Sequence, residues 1–367
     1  MAMRLEPRTQ TPVLLGLLAP VAAGVAALAI AAIPLAWAGA DIGRAFALMF
    51  EGALGNGLAL TETLTRSTPL IFTGLAAAVA FRAKLWNIGA EGQFYMGALA
   101  AIAVSMALGP ADPFGEADPS SLGAQAWFMI PASLAAGAVA GAVMMLGPTV
   151  LKLNFGVDEV VTTLLLNFVV LLFVSWMLEG PMQDPMGMGW PQTIAVAEAA
   201  ELPKLVPRTR LHVGLVIGIG FALLIWLLIS RSVWGYRVRA VGLNPRAAAF
   251  AGIPVWRVML TVGALSGALA GLAGAVEVAG AKGYVTSDLS PGFGYTGIVV
   301  AMLAQLNPLG VVASALFLSA VFVGADSMSR ELGVSSYLAN FIVAAALLTM
   351  LIAGLFTRFR LRFGTAG

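Results

Sequence analysis

Three polar side chains lie close together at the edge of an apolar stretch: Asn87, Glu91 and Gln93. A carboxylate inside a membrane costs several kcal/mol unless it is paired, so such a residue is a functional candidate. In a functional role the three side chains would hydrogen-bond a polar solute or shape a gate. The alternative is a structural brace in which Glu91 pairs with Arg82 or Lys84. The sequence leaves both interpretations open.

Polar residues and glycines interrupt two otherwise apolar segments, Phe81–Gly97 and Gly283–Gly297. Non-helical backbone persists within a bilayer only where protein or water satisfies it, and paired interruptions favour a transport path. A lone Asn167 in a third apolar run faces either that path or a neighbouring helix. We predict that a translocation path or its gate includes Asn87, Glu91, Gln93, Asn167, Phe293 and Tyr295. An inverted repeat relating the two segments is a further hypothesis.

The segment Arg231–Arg257, called the basic loop below, contains five arginines and no acidic residue. Asn244 is a good N-cap, Pro245 suits the first helical position, and Gly252 ends a short helix. A helix over 245–251 spans only about 10 Å and is not stable alone. It is either a plug for a partner's groove, with Phe250 as the knob, or an ordinary basic loop that fixes topology.

Several kinds of chemistry have no matching motif in the 367 residues. There is no cysteine and a single histidine, His212, which we interpret as structural. The chain lacks G-x-x-x-x-G-K-[ST], HExxH and GxSxG, so we predict no nucleotide cradle, no catalytic residues and no metal site. Energy for uphill transport would come from an ion gradient or from another subunit.

The composition is that of a polytopic membrane protein, with 60% hydrophobic and 10% charged residues and a mean hydropathy of +0.93. We predict an all-α fold of about ten transmembrane helices with two interrupted segments, forming a single transmembrane domain over 1–367. The first run is too long for a secretory signal. The predicted spans are 13–37, 67–83, 88–108, 127–147, 158–178, 212–230, 258–279, 291–306, 309–327 and 338–357.

The distribution of charge orients these spans. Most lysines and arginines fall on the side that contains both termini and the basic loop, which the positive-inside rule assigns to the cytoplasm. Two segments on the outer side are long. The segment 41–67 is predicted to contain an interfacial amphipathic helix, and the proline-rich segment 179–211 an irregular periplasmic cap.

Four segments carry a resemblance to a known family: Phe81–Gly97, GVDEVVTTLLLN at 156–167, GYRVRAVGLNPRAAAFAG at 235–252 and SPGFGYTGI at 290–298. They resemble permease subunits of bacterial ABC importers, in the superfamily that serves ribose-type sugars and branched-chain amino acids. LWNIGAEGQF and FGVDEVVTTLLLN are most similar to the nucleoside branch. The resemblance implies a type II importer fold.

The resemblance also implies partners and roles. The chain would form a heterodimer with a second, shorter permease. Its other partners would be a solute-binding lipoprotein and an ATPase that binds ATP and magnesium. The basic loop would be the coupling helix in a cleft of that ATPase. Its implied contact residues are Arg237, Arg239, Asn244, Pro245, Arg246, Ala248, Phe250 and Gly252. The alternatives are a permease for sugars or branched-chain amino acids and an ion-coupled secondary transporter. A third alternative, an intramembrane enzyme, is disfavoured because the sequence shows no catalytic cluster.

Overall fold

A computed structural model describes residues 2–7, 13–108 and 119–364. Thirteen α-helices account for most of these residues. Their bounds are α1 Val13–Trp37, α2 Ile42–Leu54, α3 Gly57–Arg82, α4 Ala90–Leu108, α5 Pro119–Phe155, α6 Glu159–Leu178, α7 Gly214–Arg231, α8 Val233–Leu243, α9 Pro245–Phe250, α10 Val255–Glu277, α11 Phe293–Leu303, α12 Pro308–Leu332 and α13 Ser336–Arg358. The helical class predicted from composition is confirmed.

Each of the ten predicted spans coincides with a helix, and in the described part of the chain seven helices are long and apolar enough to cross a membrane. The predicted span 291–306 is wrong as a full crossing. Its helix, α11, has 11 residues, which reach about 16 Å against a hydrocarbon core of about 30 Å. The non-helical residues 283–292, called the arm below, precede it. The arm and α11 together form the interrupted segment that the glycines and polar residues predicted.

The start of α3 is also corrected. The sequence predicts a span from residue 67, whereas the helix begins at Gly57. The mixed polarity of 41–67 assigned these residues to the interface, but hydroxyl groups there bond carbonyl oxygens of α3, as Ser67 Oγ does to Leu64 O at 2.7 Å. A helix tolerates such residues when the hydroxyl bonds back in this way. The predicted interfacial helix within 41–67 is therefore limited to α2, which Asp41 caps through Arg44 N.

The chain divides into two compact units. The first unit comprises residues 1–63 and 317–367. Its core contains Ala31, Leu35, Ala45, Met328 and Ile342, all buried. Its terminal strands β1 (Ala2–Pro7) and β2 (Phe359–Gly364) pair antiparallel, which the sequence analysis did not anticipate. The pairing needs both termini on one side, as the predicted topology has them; which side that is stays a prediction, as does the single permease domain over 1–367.

The second unit, residues 64–316, is built around α10. A seam of small residues lines this helix: Gly267 lies against the backbone of Gly141 in α5, and Gly271 against Gly137. Gly274 lies against Phe94 in α4. A Cβ at any of these glycines would overlap backbone atoms, so the seam lets α4, α5 and α10 approach more closely than side chains would allow.

The outer segment 179–211 is irregular, as predicted, with one short 3-10 turn at Glu198–Ala200. It is hydrogen-bonded to the arm. Thr193 N donates to Val285 O at 3.0 Å, and Val196 N donates to Gly283 O at 2.7 Å. These bonds satisfy backbone groups of the arm that a continuous helix would have satisfied internally.

Candidate functional site

The non-helical chain before α4 is satisfied by one face of α6. Side chains at every fourth position of α6 accept its amide protons: Glu159 Oε1 from Trp86 N at 3.2 Å, and Thr163 Oγ1 from Ile88 N at 3.3 Å. Asn167 Oδ1 accepts from Gly92 N at 2.9 Å. Side chains four residues apart lie above one another on a helix, so α6 presents them as a row. This row fixes where α4 begins.

Asn87 and Gln93 bind each other across the start of α4. Asn87 Nδ2 donates to Gln93 Oε1 at 2.8 Å, and Gln93 Nε2 donates to Asn87 Oδ1 at 2.9 Å. Asn87 Nδ2 also donates to Ser266 Oγ of α10, at 3.0 Å, and that hydroxyl donates to Ala76 O of α3. The polar groups of this pair are thus used inside the protein, which is the condition for burying them at low cost.

Glu91 connects the two interrupted segments. Its Oε2 accepts from Gly294 N, in the first turn of α11, at 2.7 Å. A carboxylate is stabilised there because amide protons and the helix dipole converge at a helix N-terminus. The brace with Arg82 or Lys84 is therefore wrong: the Arg82 guanidinium donates to Leu306 O instead. Sequence proximity suggested that pairing, whereas the fold brings Glu91 to a helix 203 residues away.

The other predicted path residues belong to the same network of contacts. The six predicted path residues and their hydrogen-bond partners are called the polar cluster below. Asn167 Nδ2 donates to Tyr295 Oη at 3.1 Å, and Phe293 packs against Phe94 with ring centroids 5.9 Å apart. The sequence analysis missed several members, namely Tyr95, Thr163, Ser266 and Ser290. Tyr95 Oη, for example, donates to Ser287 O of the arm at 2.8 Å and accepts from Ser290 N. A hydroxyl residue within an otherwise apolar helix, such as Ser266 in α10, was the sequence signal that could have identified such members.

The polar cluster lies mostly inside the chain. Tyr295 is 39% exposed, whereas the other five predicted path residues are buried. In this arrangement the buried side chains position α4, α6 and α11 relative to one another. Their membership in a translocation path stays a prediction.

The short helix of the basic loop has the predicted local structure, whereas α8, which occupies residues 233–243 of the loop, was not predicted. Asn244 Oδ1 accepts from Arg246 N at 3.0 Å and Ala247 N at 3.1 Å, with Pro245 in the first helical position and Gly252 at a φ of +79°. The helix α9 ends at Phe250, one residue before the predicted end. Local capping chemistry was sufficient to place this element because all of its signals lie within nine residues.

The predicted contact residues of the basic loop differ in where they point. Phe250 is 97% exposed, and Arg237 and Arg246 are exposed as well. Ala248 is buried, so its side chain is not presented to a partner in this structure. Arg239 donates to Ile229 O at the end of α7. Cations favour helix C-termini, so Arg239 stabilises the α7–α8 corner.

The basic loop packs against α3 and α10. Trp234 Nε1 donates to Thr261 Oγ1 of α10 at 3.0 Å, and Gly242 lies directly on the backbone of Arg82, where a Cβ would overlap the carbonyl oxygen. The exposed aromatic ring of Phe250 is therefore presented from an element fixed to α3 and α10.

Long apolar helices, an interrupted segment and an exposed short helix on a basic loop define the class: a multi-pass membrane transport protein. Residues 59–352 match the family described as "Branched-chain amino acid transport system / permease component". The chain belongs to this family, and it is a permease component.

Named relatives and a solved structure extend this comparison. The chain is 34% identical over 370 residues to the glucose ABC transporter permease protein TsgB13 of Haloferax volcanii, covering 98% of this chain and 93% of the relative. It is 32% identical to the guanosine ABC transporter permease protein NupP of Bacillus subtilis, covering 90% and 92%. The nucleoside ABC transporter permease protein NupB of Lactococcus lactis is 31% identical, covering 81% and 80%. The solved structure of PsaBC from Streptococcus pneumoniae in complex with Fab has a TM-score of 0.47 at 14% identity, covering 84% and 95%.

Proposed function

We propose that this chain is the permease subunit of an ATP-driven importer and that its basic loop docks into a separate ATPase. One observation carries the proposal: Phe250 is 97% exposed on a capped helix of six residues. Exposing a Phe ring to water is unfavourable, and aromatic residues concentrate at protein interfaces. The neighbouring Arg246 adds positive charge, which suits a groove with an acidic rim.

The substrate that we propose is a nucleoside. NupP and NupB, named for guanosine and for nucleosides, match most of this chain. TsgB13, named for glucose, matches at similar identity, so a sugar is the second candidate, followed by branched-chain amino acids. We further propose that specificity resides in a soluble receptor rather than in this chain.

The remaining parts of the assembly belong to the same proposal. A second permease, most simply a different chain, completes the path, and a solute-binding lipoprotein delivers the solute to the segment 179–211. ATP and magnesium bind to the ATPase and not to this chain. The assembly lies in the bacterial inner membrane with both termini of this chain in the cytoplasm.

The test measures uptake of radiolabelled guanosine by cells that carry the complete transport system, with and without this chain. Loss of uptake on deletion, competition by unlabelled nucleosides and no competition by glucose or leucine are the expected results. Competition by glucose alone would replace the nucleoside assignment with a sugar.

A second experiment tests the energy source. Purified chain is reconstituted alone in vesicles under an imposed proton or sodium gradient, and no accumulation is expected. Accumulation without any other subunit would overturn the proposal in favour of an ion-coupled transporter.

A further inference from the structure

Arg82, the last residue of α3, connects two parts of the second unit that lie far apart in sequence. Its Nε and Nη2 both donate to Leu306 O, at 3.0 and 2.9 Å. Two bonds from one guanidinium to one oxygen fix both distance and direction, and bonds from a charged donor are stronger than neutral ones. The end of α3 is thus tied to the turn that joins α11 to α12.

That turn has an unusual backbone. Gln305 and Leu306 have φ angles of +52° and +60°, in the left-handed region that side chains other than glycine rarely adopt. Each such residue costs on the order of 1–3 kcal/mol and persists only when its surroundings hold it. The turn also carries the C-terminal end of α11, where a cation is favourable. Arg82 supplies both the cation and the external bonds.

The backbone of Arg82 contacts the basic loop. Gly242, near the end of α8, is buried on the Arg82 backbone so closely that a Cβ would overlap its carbonyl oxygen. Such a contact leaves no space for α8 to move toward α3 without displacing it, because packed interiors do not compress. One residue after α8 ends, Asn244 caps α9.

The helix at the other end of this connection is short and held at both ends. Glu91 holds the first turn of α11 through Gly294 N at 2.7 Å, and Arg82 holds the turn after its last residue. Between them, Gly297 packs on Thr73 of α3. The 11-residue helix α11 therefore has little freedom to move independently of α3.

We infer that Arg82 is a positioning residue that transmits displacement of the basic loop to α11, so that ATPase movement reaches the polar cluster. This inference rests on the proposed docking of the ATPase at the basic loop. Displacement of α8 pushes the end of α3 through Gly242, and the two bonds from Arg82 carry it to Leu306 and α11. Chains of packed residues and hydrogen bonds can carry coupling of this kind, and these residues form such a chain.

The test compares Arg82→Met, which has a similar length but no donor, with Arg82→Lys, which keeps the charge and a donor. The complete complex is reconstituted, and solute transported per ATP hydrolysed is measured beside co-purification of the ATPase. We expect Arg82→Met to lower this ratio about tenfold, because bonds from a charged group are lost. Co-purification should not change, and Arg82→Lys should retain a higher ratio. Lys84→Ala is the matched control, since Lys84 is an exposed basic residue two positions from Arg82.

A second variant separates transmission from support of the turn. Leu306→Gly keeps the carbonyl acceptor and relieves the left-handed backbone, so alone it should leave the ratio unchanged. The double variant Arg82→Met/Leu306→Gly should remain uncoupled. Recovery of coupling in the double variant, or an unchanged ratio in Arg82→Met, would overturn the inference. Transport by the wild-type protein without the ATPase would instead contradict the proposed function.

Discussion

The polar cluster and the basic loop use similar residue types in opposite ways. In the polar cluster the side chains of Asn87 and Gln93 form hydrogen bonds with each other and with other groups inside the protein. In the basic loop, Asn244 caps a helix while Phe250 and Arg246 point outward. Internal hydrogen bonding thus identifies residues that position helices. An exposed aromatic ring on a helix that its neighbours hold in place identifies a surface for a partner.

The largest expected effect is on the basic loop. Replacing Phe250 and Arg246 together with Asp should abolish ATP-dependent uptake, because the ring loses its groove and the charge is reversed. Uptake by cells is the measurement, with membrane insertion confirmed by immunodetection. Arg44→Asp, an exposed arginine of α2 outside both the basic loop and the segment 179–211, is the control and should transport normally. Normal uptake by the double variant would show that the basic loop is not the docking surface.

A smaller effect, on stability, is expected in the polar cluster. Asn167→Ala leaves Gly92 N and Ile88 O without their partners, at a cost of about 3 kcal/mol. Thermal unfolding of the purified protein should show a lower midpoint. Leu165→Ala, on the exposed face of the same helix, should leave the midpoint nearly unchanged. Equal midpoints for wild type and Asn167→Ala would mean that α6 does not support the start of α4.

His212, which lies between the outer segment 179–211 and α7, extends the comparison. Its ring is buried, its Nδ1 accepts from Gly214 N at 3.1 Å, and burial, then the charge of Lys204, lowers the pKa of His212 to about 4. As pH falls below 6.5, the unfolded state binds a proton that the folded state does not. Stability should therefore fall between pH 6.5 and 4, by about 2 kcal/mol at pH 5.

The measurement for His212 is the unfolding midpoint against pH. His212→Asn keeps an acceptor for Gly214 N and should show a flatter profile than wild type over that range. Identical profiles would assign the acid sensitivity to other groups.

The smallest effect is expected for Glu91→Gln. Glutamine keeps an oxygen that accepts from Gly294 N, so we expect a loss of about 1 kcal/mol in stability and nearly normal uptake. Uptake of labelled solute under ATP-supplying conditions is the measurement, with Glu91→Ala as the more damaging comparison. Abolished uptake in Glu91→Gln, with the protein folded, would favour an ion-coupled mechanism that needs this carboxylate.

Much of the fold follows from the sequence because its signals are local. Hydrophobic run length placed the ten apolar segments, and capping residues placed α9 within one residue at its end. The errors arose where two interpretations of the same residues competed. The mixed polarity of 41–67 suggested an interfacial segment although 57–67 belongs to α3. The apolar composition of 291–306 suggested a full span although only 293–303 is helical.

Part of the membership of the polar cluster was predictable from the sequence, but its arrangement was not. Asn87, Glu91, Gln93 and Asn167 are conspicuous in an apolar background. Which group each one bonds depends on how α4, α6, α10 and α11 pack, and residues such as Ser266 are ordinary in sequence. The pairing of Glu91 with Gly294 is therefore beyond sequence reasoning.

The sequence by itself determined that this is a polytopic membrane protein with a capped short helix on a basic loop, since run length, charge bias and capping are local signals, and its resemblance to ABC importer permeases indicated the family. Only the tertiary structure decided that Glu91 and Arg82 hold the two ends of α11. The physical reason is that a buried charge bonds whatever the packing of helices brings within about 3 Å, and that distance is independent of separation along the chain.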